Sequence, residues 1–274
     1  MKQLIRFALA GLLSIGSGLA SATERYITVA STTSTEQSGL FGHLLPIFRA
    51  ASGIEVRVVA VGTGQAIAIG ERGDADALLV HDRAGEDRFV AQGHGLDRRD
   101  VMFNDFVLVG PKTDPAGVNG LRDAKAALAK VAAAKAPFAS RGDDSGTHRT
   151  ELRLWKAAGI EPKGSGAWYR ELGSGMGPTL NTAAALDAYA ITDRATWASF
   201  RNRQNLEILV QGDPALFNPY GSILVNPGKG PHIKASDARA WHEWLTSPAG
   251  AAAISSFRIG SEQLFYPAQT ARTN

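Results

Sequence analysis

The chain has 274 residues, of which 44% are hydrophobic and 20% are charged, and it contains no cysteine. Such a composition is that of a globular protein with an ordinary core, and it excludes a disordered chain, a coiled coil and a fold held together by disulfides. The formal net charge of +3 is too small to predict a nucleic-acid partner.

The first residues predict export. Lys2 and Arg6 precede an apolar run, Phe7–Leu19, and the small residues of a cleavage site follow it. A transmembrane anchor needs about 18 or more apolar residues, and this run contains Ser14, Gly16 and Ser17. We therefore predict a signal peptide at residues 1–22, cleaved after about Ala22, and a mature protein in the periplasm.

Predicted strands and helices alternate in the first part of the chain. Such alternation is typical of a parallel sheet that is covered by helices on both faces. The predicted elements are a strand Tyr26–Ser31, a helix Leu40–Ala51, a strand Ile54–Val61, a helix Gln65–Glu71, a strand Ala77–His81 and a helix Glu86–Gln92.

The alternation restarts after the run Phe106–Gly110 and the turn residues that follow it, where we expect a linker. We predict two α/β domains joined by two crossings, with a ligand cleft between them. Domain I would comprise residues 23–110 and 215–274, and domain II residues 111–214. The further predicted elements are a helix Leu121–Lys135, a strand Pro137–Ser140, a helix ending at Ala158, and strands Leu206–Val210 and Ser222–Val225.

Hydroxyl residues follow the first two strands. Ser31-Thr32-Thr33-Ser34-Thr35 stands between a strand and a helix, and Gly62-Thr63-Gly64 occupies the equivalent place after the second strand. Open α/β sheets bind ligands at the carboxyl ends of their strands, and helix N-termini favour anions. A single Ser or Thr there needs only to cap a helix, but five in a row indicate ligand contact. For Thr63, a simple turn remains equally acceptable.

The segment Ser140–His148 opens a helix in the second domain. Arg141 has a guanidinium that keeps its charge and donates in a fixed fork. Ser145, Gly146 and Thr147 add hydroxyl and backbone donors at the helix start. The segment therefore predicts the positive half of an oxyanion site. The alternative is a surface Arg paired with Asp143 or Asp144.

An enzyme is the least favoured interpretation. Ser145 and His148 are three residues apart on one helix, a poor arrangement for a base that a third group must orient. The segment Gly173–Gly177 has its Ser in the wrong position for a nucleophile elbow. The six His residues lack metal-ligand spacing. We therefore expect a binding protein without a metal site or cofactor.

Two further segments complete a family pattern. A glycine-rich loop, Gly175-Met176-Gly177-x-Thr179-Leu180, opens another helix, and Tyr189-x-Ile191-x-Asp193-Arg194-x-Thr196 follows it. We expect the aromatic side chains of the last segment to serve packing. Taken in order with Ser31–Thr35 and Ser140–His148, these segments resemble the periplasmic tungstate-binding proteins of tungstate ABC transporters, over essentially the whole mature chain.

The resemblance implies a type II periplasmic-binding-protein fold and tungstate, or molybdate, bound in the cleft. It also implies two partners, a membrane permease and a cytoplasmic ATPase. The implied binding residues are Thr32, Thr33 and Ser34 with Arg141, Ser145 and Thr147, to which our own interpretation adds Thr63 and Gly146. The first motif begins with Ser31 where the family pattern has Thr, and the hydroxyl is retained.

Phosphate is the alternative ligand, because phosphate-binding proteins have a similar Arg-x-Asp-x-Ser-Gly-Thr segment. Phosphate keeps a proton at neutral pH and is favoured by a carboxylate acceptor, whereas a full dianion is repelled by one. The orientation of Asp143 and Asp144 therefore separates the two ligands.

Overall fold

The structure, a computed structural model, describes residues 25–268, so the predicted signal peptide lies outside the described residues. The first part of the chain follows the predicted alternation of strands and helices. Gly53, with φ of 70°, ends the second helix in the left-handed conformation that glycine adopts without strain. The elements are β1 (Tyr26–Thr32), α1 (Thr33–Gln37), α2 (Leu40–Ser52), β2 (Glu55–Val61), α3 (Thr63–Arg72), β3 (Ala77–Val80), α4 (Arg83–Ala91) and β4 (Gly95–Pro111).

The remaining elements include every strand and helix predicted for this part, and the structure adds short strands that the sequence pattern did not reveal. They are α5 (Ala124–Ala133), β5 (Phe138–Ser140), α6 (Gly146–Ala157), β6 (Tyr169–Glu171), α7 (Met176–Leu186), β7 (Ala190–Asp193), α8 (Arg194–Ser199), β8 (Leu206–Val210), β9 (Phe217–Val225), α9 (Ala235–Leu245), α10 (Pro248–Ser256), β10 (Arg258–Ile259), β11 (Glu262–Gln263) and β12 (Tyr266–Pro267), with 3-10 turns at Pro214–Leu216 and Pro227–Lys229.

The long strand β4 carries the chain from one half of the molecule to the other. Its first half pairs with β9, as far as Asp105 opposite Phe217. Its second half pairs with β7 and β8, beginning with Phe106 opposite Asp193. The run Phe106–Gly110 is thus part of a longer strand, and this crossing is a continuous strand rather than a linker.

The parallel arrangement predicted from the alternation is confirmed for β1, β2 and β3, whereas the main sheet as a whole is mixed. The strand β1 pairs in parallel with β2 and β3. The strand β9 pairs antiparallel with both β3 and β4. The reason is topological: β4 leaves the first half of the molecule and β9 returns to it, so the two neighbours must run in opposite directions.

Buried apolar side chains form separate clusters on the two sides of this crossing. One set draws on β1 to β3, the start of β4, β9 and the C-terminal helices. The other set draws on residues 106–216. We call residues 25–105 with 217–268 the first lobe and residues 106–216 the second lobe. Ala195 of α8 packs into the first lobe's core, and the domain limits predicted at 110 and 215 stay a prediction.

Between residues 25 and 268, no helix combines the length and the apolar character that a membrane span requires.

Candidate functional site

The carboxyl ends of three neighbouring parallel strands lie at one edge of the first lobe. Thr32 ends β1 and is paired with Val61, the last residue of β2. Thr63 begins α3 directly after β2, and His81 follows β3. The side chains of Thr32, Thr63 and His81 are all buried. This edge is where a parallel α/β sheet presents its ligand-binding groups.

Hydroxyl groups converge on the ring of His81. Its Nε2 lies 3.2 Å from Thr32 Oγ1 and 3.3 Å from Ser34 Oγ. Thr32 Oγ1 is also 2.7 Å from Thr35 Oγ1 and 3.1 Å from Ser34 Oγ. Thr33, the first residue of α1, is half-buried beside this cluster. The predicted hydroxyl segment therefore forms a compact group of polar side chains rather than a single helix cap.

The other side of the His81 ring is held by two asparagines. Its Nδ1 lies 3.0 Å from Asn218 Oδ1, and Asn218 Nδ2 donates to Asn104 Oδ1 at 2.6 Å. The ring also stacks on Tyr220 at 4.7 Å between centroids. Burial lowers the pKa of His81 to about 4, so the ring is neutral at neutral pH.

The second lobe supplies Arg141 and the start of α6. Arg141 is only 2% exposed, although it is an arginine in a loop. Ser145 caps α6, since its Oγ accepts the backbone N–H of His148 at 3.2 Å, and its own hydroxyl proton stays free to donate. Thr147 Oγ1 is buried and has no hydrogen-bond partner among residues 25–268. A buried hydroxyl without a partner at a helix N-terminus is free to donate to a bound anion.

The two aspartates of the segment do not point freely into the cleft. Asp143 Oδ2 accepts from Arg141 Nη2 at 2.6 Å and from Nε at 3.2 Å, and its Oδ1 accepts the N–H of Ser145 at 3.2 Å. Asp144 instead accepts two hydrogen bonds from Arg149, which lower the pKa of Asp144. Arg141 is thus paired with Asp143, yet it is buried and not a surface arginine.

The two lobes touch at the predicted site. Gly146 N donates to Thr63 Oγ1 across the cleft at 2.8 Å. Gly146 also lies so close to the first lobe that a Cβ there would come within 2.9 Å of His81 Cε1. Beside this contact, Arg149 Nη1 of the second lobe donates to Asp82 Oδ2 of the first at 2.6 Å. The structure therefore has a closed cleft, and it brings both halves of the site together.

The positive charge of Arg141 acts on buried groups near the site. It lowers the pKa of His81 and also that of Asp193, although burial raises the pKa of Asp193 overall. Asp193 caps α8 and accepts hydrogen bonds from Thr196 on both of its oxygens. The aromatic residues nearby pack as predicted: Tyr189 is fully buried and Trp197 is 4% exposed.

A cavity of about 370 Å³ reaches the site from outside, and both His81 and Asn218 line it. The larger cavity, about 930 Å³, lies beside α4 and β4 and contains none of the predicted binding residues. Size alone therefore does not locate the site, since a closed cleft around a small anion leaves little empty space.

The sequence interpretation missed His81, Asn218, Asp82 and Arg149. One signal could have found His81: it follows a parallel strand, as Thr32 and Thr63 do, and the same rule of strand ends applies to it. Nothing local marked the others, because their partners lie 67 to 137 residues away along the chain.

Comparison with known proteins gives a consistent result. Residues 18–249 match the PBP superfamily domain. The tungstate-binding protein TupA of Peptoclostridium acidaminophilum is 48% identical over 233 residues, which cover 84% of this chain and 81% of the relative.

Two solved structures are similar over their whole length. The tungstate-binding protein TupA of Desulfovibrio alaskensis is 46% identical with a TM-score of 0.76, covering 89% of this chain and 98% of that one. The tungstate ABC transporter structure from Geobacter sulfurreducens is 49% identical with a TM-score of 0.79, covering 85% and 99%.

Proposed function

Because this chain belongs to the PBP superfamily, and within it to the family of the TupA tungstate-binding proteins, we propose that it captures tungstate between its two lobes for an ABC importer. It is a binding protein and not an enzyme. The proposed contacts are the hydroxyls of Thr32, Thr33, Ser34, Thr63, Ser145 and Thr147, the guanidinium of Arg141 and the backbone N–H of Gly146.

One observation carries the proposal. Arg141 and Thr147 belong to the segment that meets the first lobe, both are buried, and the hydroxyl of Thr147 lacks a hydrogen-bond partner among the described residues. A buried donor without an acceptor costs about 1–3 kcal/mol, so an anion that accepts from it stabilises the closed state. Thr63 Oγ1 accepts from Gly146 and keeps its own proton to donate from the opposite lobe.

The donor set also supports a full dianion over phosphate. The oxygens of Asp143 already accept hydrogen bonds from Arg141 and Ser145, and Asp144 is turned to Arg149. Both carboxylates are thus engaged by donors of their own lobe, which disfavours their use as acceptors for the proton that phosphate keeps at neutral pH. Sulfate has the same charge as tungstate, so size must exclude it: the longer metal–oxygen bonds reach donors that sulfate leaves unsatisfied.

The transport context follows from the same family. We propose that residues 1–22 form a signal peptide cleaved after about Ala22, and that the mature protein works in the periplasm. Its partners are a membrane permease and the ATPase that drives it. Tungstate is the cargo, and molybdate, being nearly the same size, is the second ligand.

Competition experiments test this function. We expect the melting temperature to rise most with tungstate, then with molybdate, and little with sulfate or phosphate, because a ligand that binds only the folded state stabilises it. Millimolar sulfate should leave tungstate bound at micromolar concentration. Displacement of tungstate by phosphate under these conditions would instead establish a phosphate-binding protein.

A further inference from the structure

A line of buried hydrogen bonds joins the two crossing strands to the hydroxyls of the site. Asn104 on β4 lies directly opposite Asn218 on β9. The NH₂ group of Asn218 donates to Asn104 Oδ1, which leaves Asn218 Oδ1 facing His81 Nδ1 at 3.0 Å. An amide oxygen accepts and cannot donate. The neutral ring of His81 therefore carries its proton on Nδ1.

The opposite nitrogen, Nε2, then has only a lone pair. It lies within 3.3 Å of the hydroxyl oxygens of both Thr32 and Ser34. Each hydroxyl can donate one hydrogen bond. The neutral ring therefore accepts a hydrogen bond from a hydroxyl that would otherwise donate to a bound oxyanion. A protonated ring donates from both nitrogens, and it leaves both hydroxyl protons to the ligand.

We propose that His81 is a positioning residue for the oxyanion, one that takes up a proton as the dianion binds and thereby turns the hydroxyls of Thr32 and Ser34 toward it. The inference rests on the proposed function and deepens it, since it names a residue that tunes the same site. It also assigns Asn218 and Asn104 the task of holding the ring.

The charges around the ring set the direction of this effect. Burial is the main cause of the low pKa of His81, and the positive charges of Arg141 and Arg153 lower the pKa further, whereas Asn218 and the negative charge of Asp82 raise it. Before ligand binds, the ring is neutral at neutral pH. A dianion against Thr32 and Ser34 places an opposite charge beside the ring, which raises the pKa of His81.

The sign of the pH dependence follows from linkage. The pKa of His81 is about 4 without ligand and higher with it, so the complex holds more protons than the free protein between the two values. Affinity therefore increases as the pH falls through that window, and binding takes up part of a proton at neutral pH. Tungstate itself stays deprotonated around neutral pH, so its own protonation does not account for this uptake.

Calorimetry of the mature protein tests the proposal. Tungstate is titrated near pH 7 in two buffers that differ in their enthalpy of ionisation. For the wild type, the measured enthalpy should differ between the buffers. His81→Gln should abolish that difference and weaken binding about tenfold. The control, His43→Gln, alters a histidine on α2 that bonds to Ala253 O at 3.0 Å, away from the site, and should match the wild type.

A second variant covers the case in which His81→Gln does not fold. Asn218→Asp puts a carboxylate against Nδ1 and raises the pKa of His81 before ligand arrives, and Asn104 Nδ2, which has no partner among residues 25–268, can turn to donate to it. The pH at which binding takes up most protons should then move upward, because the pKa of His81 rises in the free protein and in the complex. The proposal is wrong if the wild type takes up no proton, or if both variants keep its uptake and affinity. A wild type that binds none of the tested oxyanions overturns the proposed function instead.

Discussion

The ion pair between Arg149 and Asp82 should hold the cleft closed. Asp82 belongs to the first lobe and its side chain is 3% exposed, while Arg149 of the second lobe is 23% exposed. In an open cleft, water would solvate both groups. Replacing Arg149 with Met keeps the length of the side chain but leaves the carboxylate of Asp82 buried without its main partner, and this penalty applies only to the closed state.

The size of the effect can be worked out from these contacts. Removing one partner of a buried ion pair costs about 3–5 kcal/mol. Two features reduce this figure: Arg149 is partly solvated, and Arg153 Nη1 remains 3.8 Å from Asp82 Oδ1. We therefore expect a loss of about 1.5–2.5 kcal/mol in the closing step, or roughly tenfold to sixtyfold in the ratio of closed to open protein.

The test is tungstate binding by Arg149→Met. Calorimetry gives the dissociation constant, and a kinetic experiment gives the rate of dissociation. The dissociation constant should rise at least about tenfold, mostly through faster dissociation. Small-angle scattering should show that the variant contracts only at higher tungstate concentrations than the wild type. Arg72→Met is the matched control, because Arg72 pairs with Asp74 in the same lobe and both are exposed. If Arg149→Met and Arg72→Met bind and release tungstate within about twofold of each other, the reasoning fails.

Two other outcomes follow from buried charges. Arg141→Ala should weaken tungstate binding over about a hundredfold, and Arg141→Lys should also weaken it because an ammonium lacks the fork; calorimetric values within about threefold of the wild type would contradict this role. Burial raises the pKa of Glu151 to about 7, so wild-type stability should fall as the pH rises toward that value. The amide oxygen of Glu151→Gln can still accept the hydrogen bonds from Tyr169 and Trp155. At high pH, denaturant unfolding should show that this variant is more stable than the wild type, by on the order of 2 kcal/mol. In mild acid the difference in stability should be smaller. An equal difference at both pH values would refute this assignment.

Much of the fold was readable from local pattern. The strand predicted at Leu206–Val210 has those bounds in the structure, and the helix predicted at Leu40–Ala51 ends one residue later, at Ser52 before Gly53. Runs of β-branched residues and glycines at helix ends act over a few residues, so the chain itself displays them. The start of β4 escaped prediction because its four consecutive charged residues, Asp97 to Asp100, hide the strand period.

For the candidate site, too, the sequence allowed some features to be predicted and not others. The sequence shows where strands end and helices start, and this allowed four site residues to be predicted: Thr32, Ser34, Thr63 and Arg141. The structure buries all four beside the cleft. The hydrogen-bond partners of these residues could not be predicted from the sequence. Asp143 turned to Arg141 and Asp144 to Arg149, a choice between two adjacent carboxylates that only side-chain packing makes.

By itself, then, the sequence determined the alternation of elements, the hydroxyl and arginine side chains that follow the strand ends, and the resemblance to the family to which the chain belongs. The tertiary structure alone decided that β9 runs against β3 and β4, that His81 meets Thr32, Ser34 and Asn218, and that Arg149 reaches Asp82 across the cleft. The physical reason is range. Propensities and caps act between residues a few positions apart, whereas these side-chain contacts join residues 47 to 137 positions apart, and their geometry exists only once both lobes have packed.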